Sequence, residues 1–263
     1  MRYTILLLFS CLLFACSSDT VDLDGDNNPD DSLDKKPTRY LSRVLENGKV
    51  IRELTKYDSY WELNFTGGIY QYYFNAEGQI THSKLVQDSL NKKEREYHYN
   101  DNGLLTDIFS YDLGDGTKAL TLAYTFSYDG NGVFKKLVRE RAANKYIKKS
   151  IMKMEVTSYD EHLQPTSLHI TGYTNGEVTY TDDVEYVYDD KVSTYFGLPA
   201  PITLQISGHY TPYLVNNFSS FTVKYEDGTS KKVDEVFTYD EQGYPIQGQG
   251  GNDQFKYEYL PWN

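Results

Sequence analysis

The sequence predicts an all-β fold, a Tyr-rich antiparallel meander of about 14 to 17 strands curled into an open or closed barrel-like sheet. Three observations predict it. One aromatic phrase ending in Asn or Asp recurs six times, long stretches alternate between aromatic and polar residues, and Asn-Gly or Asp-Gly pairs punctuate them.

The phrase reads Tyr72-Tyr73-Phe74-Asn75, Tyr97-His98-Tyr99-Asn100, Phe126-Ser127-Tyr128-Asp129, Thr157-Ser158-Tyr159-Asp160, Tyr186-Val187-Tyr188-Asp189 and Phe237-Thr238-Tyr239-Asp240. Copies start about 25 to 30 residues apart, with one double-length gap before the last, which is the mark of a repeat architecture. Leu122, Tyr124, Phe126 and Tyr128 alternate with Thr121, Ala123, Thr125 and Ser127; Val233, Glu235, Phe237 and Tyr239 do the same with one acidic exception. A period of two puts aromatic residues on one face of a strand and small polar residues on the other. Asn47-Gly48, Asn102-Gly103, Asn131-Gly132, Asn175-Gly176 and Asp227-Gly228 supply the positive φ angles of tight type I′ hairpins. Trp61 to Thr66, Gly67-Gly68 and Ile69 to Asn75 form the clearest hairpin. Between Gly197 and Val215 the repeat breaks at Pro199, Pro201 and Pro212, and a longer loop is expected there.

The N-terminus gives an address. Arg2 precedes an apolar run from Ile5 to Phe14, too short to span a bilayer and suited to a signal-peptide core. Leu13-Phe14-Ala15-Cys16 resembles a bacterial lipobox, which implies cleavage after residue 15 and lipid on Cys16. The domain reading is therefore residues 1–15 as lipoprotein signal peptide, 16–38 as an acidic flexible tether and 39–263 as one repeat-built β domain. Cys11 and Cys16 are the only thiols, so the mature body has no cysteine nucleophile, disulfide framework or Cys-based zinc site. A formal net charge of −12 disfavours nucleic acid, whose binding relies on Lys and Arg at phosphates.

In the tether, Asp22, Asp24, Asp26 and Asp30 stand at relative positions 1, 3, 5 and 9, the oxygen-ligand spacing of calcium loops. Leu33 occupies position 12, where a bidentate Glu belongs. A calcium site and a plain solvated anionic tether both fit; no other cofactor is expected. Elsewhere the sequence holds no nucleophile elbow, zinc-protease helix, phosphate loop or dinucleotide fingerprint, so it reads as non-enzymatic. Asp129, Asp160, Asp189 and Asp240 open turns, where Asx side chains accept nearby backbone N–H groups.

Tyr-Asp-x-x-Gly phrasing resembles the tyrosine–aspartate (YD/Rhs-like) repeats of bacterial wrapping proteins. Lipobox, acidic tether and Tyr-rich hairpins together resemble a Bacteroidetes lipoprotein family of unknown function with a porin-like β fold. The resemblance implies an outer-membrane lipoprotein, periplasmic or surface-exposed, and brings no catalytic residues. Opposite the aromatic face stand Thr, Ser, Lys and Glu, as in Lys92-Lys93-Glu94-Arg95-Glu96, which favours a water-facing sheet over a membrane-spanning barrel. With 26 Tyr and two Trp, some rings exceed what a core requires. Tyr60, Trp61, Tyr70 and Tyr72 are the candidate exposed platform for a glycan or protein partner. A structural scaffold with wrapping repeats is the alternative, and a glycoside hydrolase using two carboxylates the third.

Overall fold

The computed structural model describes residues 37–65, 68–87, 92–114, 117–143, 148–207, 216–250 and 253–262. Within them sixteen strands pair in chain order, each antiparallel to the next, and the last pairs with the first, closing a barrel. The order is β1 (Arg39–Glu46), β2 (Lys49–Lys56), β3 (Tyr60–Phe65), β4 (Gly68–Phe74), β5 (Ile80–Leu85), β6 (Lys93–Tyr99), β7 (Leu105–Gly114) and β8 (Thr117–Tyr128). It continues with β9 (Phe134–Arg141), β10 (Ser150–Tyr159), β11 (Pro165–Thr174), β12 (Glu177–Val192), α1 (Ala200–Ser207), β13 (Asn216–Tyr225), β14 (Ser230–Tyr239), β15 (Pro245–Gly250) and β16 (Asp253–Pro261). The first strand begins at Arg39 and seals against the last in the register Arg39↔Pro261 to Glu46↔Phe255. Closure removes the sheet edges that would otherwise invite pairing with other chains.

Alternation decides what faces inward. Leu63, Tyr72, Ile80, Leu105, Leu137 and Met154 are all less than 2 % exposed. They come from strands β3 to β10, and Tyr40, Leu41 and Val44 of β1, Leu168 and Ile170 of β11 and Val184 of β12 belong to the same core. Charged residues of the outward face pair across strands. Arg43 meets Glu53 at 2.5 Å, Lys136 meets Glu155 at 2.6 Å and Lys224 meets Glu185 at 2.6 Å, while Lys118 bridges Glu94 and Glu96. Such exposed pairs stabilise little, about 0.2–1 kcal/mol each.

Each repeat is two strands long, so every copy of the aromatic phrase arrives at the same end of the barrel. There its Asn or Asp closes its own hairpin. Asp129 Oδ1 accepts the N–H groups of Asn131 and Val133, Asp160 Oδ1 those of His162 and Gln164, and Asp240 Oδ1 those of Gln242 and Tyr244. The turn is a type I turn followed by one left-handed residue, Gly103, Gly132 or Gly243. This corrects the type I′ expectation at Asn102-Gly103 and Asn131-Gly132, because the upstream Asx acceptor braces a loop one residue longer. Asp227-Gly228, at the other end, has the same geometry. True type I′ turns occur at Asn47-Gly48 (φ 49° and 80°) and Asn175-Gly176 (φ 54° and 90°). Leu163 takes the left-handed position at φ 60°, a conformation that costs a side-chain-bearing residue about 1–2 kcal/mol.

The Tyr of the phrase ties each hairpin to the one before it. Ladders between hairpins stop short of this end; β9 and β10, for example, pair no further than Lys136↔Glu155. Beyond that point Tyr159 Oη donates to the Phe134 carbonyl at 2.6 Å. Tyr99, Tyr128 and Tyr188 do the same to Ile80, Leu105 and Pro165 at 2.8–2.9 Å. In the last copy Tyr239 donates to the Asp189 carboxylate instead. Removing one tie by Tyr159→Phe is expected to cost about 1 kcal/mol, since the ring keeps its packing and only the hydroxyl is lost. Thermal unfolding should show a drop of about 2–4 °C for a domain of this size.

Within the long loop expected between Gly197 and Val215, of which residues 208–215 lie outside the described residues, the chain forms α1. Its start explains the prolines: the Pro199 carbonyl accepts the Ile202 and Thr203 N–H groups, and Pro201 sits in the first turn, where its missing N–H costs nothing. Ile202 is fully buried, Ala200 and Thr203 nearly so. Gln205 accepts a hydrogen bond from Arg95 of β6, a strand far around the wall from the β12 and β13 that flank the helix. Arg95 is directly opposite the buried Ser83 in the ladder, so it projects inward, with its guanidinium 5.3 Å from the Tyr70 ring. The helix therefore packs inside the barrel as a plug.

Candidate functional site

Inside the barrel, Glu235 departs from the apolar lining. It occupies the inward face of β14 with Val233, Phe237 and Tyr239. Arg52 joins it from β2, where pairing with the buried Val44 fixes its inward direction. Phe255 and Tyr257 contribute from β16, and Glu46 lies at the last position of β1, beside the hairpin turn.

The plug segment supplies the remaining wall. Asn217 Oδ1 accepts from the Thr194 N–H at 2.9 Å and hydroxyl at 3.1 Å, while its amide donates to the Val192 carbonyl at 2.7 Å. Asn216 likewise donates to Lys191 and accepts from Gln164, whose own carbonyl receives the Asn216 N–H. These buried amides are fully engaged, as burial demands. They hold Ser193, Thr194 and Tyr195 against the wall strands and leave a cavity of about 260 Å³ between them.

Its electrostatics are unusual for so apolar a core. Burial alone pushes the Glu235 carboxyl up to about 7, because leaving water penalises the charged form. Glu235 makes no hydrogen bond or ion pair among the described residues. Burial also raises Tyr195 and Tyr257; Arg52, hydrogen-bonded to Tyr195, partly offsets that in both. An acid poised between its protonated and ionised forms can donate or accept a hydrogen bond near neutral pH, and Arg52 can only donate. Aromatic rings enclose both.

The platform expected at Tyr60, Trp61, Tyr70 and Tyr72 is not an exposed surface. Trp61 and Tyr72 are ladder partners on the inward face, 5 % and 0 % exposed, and Tyr70 beside them is 6 % exposed. Only Tyr60 points outward, stacked on Tyr57 with ring centroids 4.7 Å apart. Strand alternation separates it from the other three, and closure of the barrel turns their face into core. Trp61 packs against Tyr40, Phe74 and Trp262. The Tyr72 hydroxyl finds no partner among the described residues. Cys16 and the candidate calcium ligands Asp22, Asp24, Asp26 and Asp30 lie outside the described residues. The residues overlooked as a site, Glu235 and Arg52, did leave a sequence signal: Glu235 is a charge within the inward-parity stripe Val233, Phe237 and Tyr239, and Arg52 shares the inward parity of Leu54.

No protein-family model matches this chain, and a search of curated proteins finds no match. Among solved structures, the chain is similar to a porin-like protein from Bacteroides vulgatus ATCC 8482, at 11% identity and TM-score 0.41, over 85% of this chain and 100% of that one. It is also similar to a porin-like protein from Bacteroides uniformis ATCC 8492, at 13% identity and TM-score 0.40, over 86% of this chain and 98% of that one.

Proposed function

We propose that the chain is a lipid-anchored protein of the outer membrane or cell surface, a non-enzymatic binding module that stands in water and takes its ligand in the lumen cavity. The observation that carries this reading is the wall itself, packed and apolar inside, with ion-paired Lys, Arg and Glu on several strands outside beside scattered exposed Val, Leu and Tyr. A Lys or Arg facing lipid at mid-membrane would cost about 2–4 kcal/mol, and this wall carries them on several strands. The membrane hold then falls to lipid on Cys16, with residues 16–38 as the leash.

A second reading, a rigid structural scaffold, draws on the closed, edge-free wall and its plug. The cavity with its unpartnered acid favours the binder. In a host that acylates lipoproteins, Cys16→Ser should move the protein from the membrane fraction to the soluble fraction. A chain that stays with salt-washed membranes would count against the lipid-anchored reading.

A further inference from the structure

The geometry points to a single sugar ring as the ligand of the lumen cavity, an inference that rests on the binding reading above and names its chemistry. Size comes first. An apolar cavity of about 150 Å³ holds one benzene ring, whereas drug-sized ligands fill roughly 300–1,000 Å³. At about 260 Å³ this cavity takes one six-membered ring with its substituents, and it is too small for a folded peptide segment.

The lining selects among such rings. Phe218, Phe237, Phe255 and Tyr257 offer flat apolar faces, against which the C–H face of a pyranose packs. Glu235, half-buried in this lining, makes no hydrogen bond among the described residues, so its carboxyl is open to a ligand. A purely apolar ring would leave that carboxyl buried and unsatisfied, at a cost of about 1–3 kcal/mol or more. An anionic ligand would meet both Glu235 and Glu46, and a bare amine would meet Arg52. Hydroxyl groups both donate and accept, so vicinal hydroxyls on one ring can donate to Glu235 while accepting from Arg52. A neutral pyranose thus offers the donor, the acceptor and the apolar face that this lining calls for.

The test uses the purified full-length chain with glucose, galactose, mannose and N-acetylglucosamine as probes, and glycine and ethanolamine as the comparison set. Saturation-transfer NMR and thermal shift are read together. At least one sugar should bind saturably, Glu235→Leu should weaken it at least tenfold, and Val236→Ala, on the outward face of the same strand, should leave it unchanged. If Glu235→Leu does not fold, Phe237→Leu serves instead and should weaken binding several-fold. Binding by glycine or ethanolamine without any sugar would overturn the sugar assignment while leaving the cavity as the site. Silence from both sets would overturn the assignment and the cavity together. Sugar binding that survives Glu235→Leu and Phe237→Leu in folded protein would place the ligand elsewhere and overturn the proposal.

Discussion

Ile202→Ala is expected to destabilise the protein by about 2–5 kcal/mol, the range for truncating a fully buried aliphatic side chain whose surroundings cannot collapse. Ile202 is 0 % exposed at the centre of α1. The helix is held from two sides, by the Arg95–Gln205 hydrogen bond on one wall and the Asn216–Asn217 amides at its approach. With both ends pinned, α1 cannot slide to refill the space, so the cost should fall in the upper part of that range. Urea denaturation measures it as a shift of the midpoint at constant slope. Val236→Ala on the outer wall, at 64 % exposed, should change stability by less than about 0.5 kcal/mol. Equal effects at the two positions would mean that α1 does not plug the barrel.

Glu235→Gln should make stability less dependent on pH. In the folded chain the Glu235 carboxyl titrates near 7, against about 4.3 for an exposed Glu. Between those values the folded state holds a proton that the unfolded state has released. Stability therefore falls as pH rises from about 4.5 to 7, by at most about 4 kcal/mol in total, and is level above that. The neutral amide carries no such dependence. Wild type and variant should be similar near pH 4, and the variant should be the more stable at pH 8. Parallel stability curves from pH 4 to 8 would show that Glu235 is well hydrated and does not line a desolvated cavity.

Much of the wall was legible locally. Period-two alternation and Asx-x-x-Gly turns are interactions within a few residues, and they place the hairpins correctly. The two strands read from Trp61 and from Ile69 pair as expected in β3 and β4, with Trp61↔Tyr72 in register. Closure is different: β1 meets β16 across nearly the whole chain, and no local pattern encodes that pairing. Alternation also cannot say which face becomes the inside, so Trp61, Tyr70 and Tyr72 read as a platform until closure buried them. The helix escaped because eight residues give little more than two turns, too few for a 3.6 period, and its prolines look the same as strand breakers. The repeated Tyr was read as core or platform. Its hydroxyl turned out to be the informative part, reaching 19 to 25 residues back to a backbone carbonyl of the preceding hairpin.

The central claim is that this barrel turns a wet wall outward and a packed, plugged interior inward. The chain offers a direct probe, since its only two thiols, Cys11 and Cys16, both precede the first strand. Single cysteines placed at Lys84, Lys136, Glu155 and Glu185 on the outer wall can be treated, in membrane-held protein, with a water-soluble maleimide. Reaction at all four positions is the expected result. A ring of unreactive positions about 25 Å tall around the wall would mean lipid contact and would contradict the account.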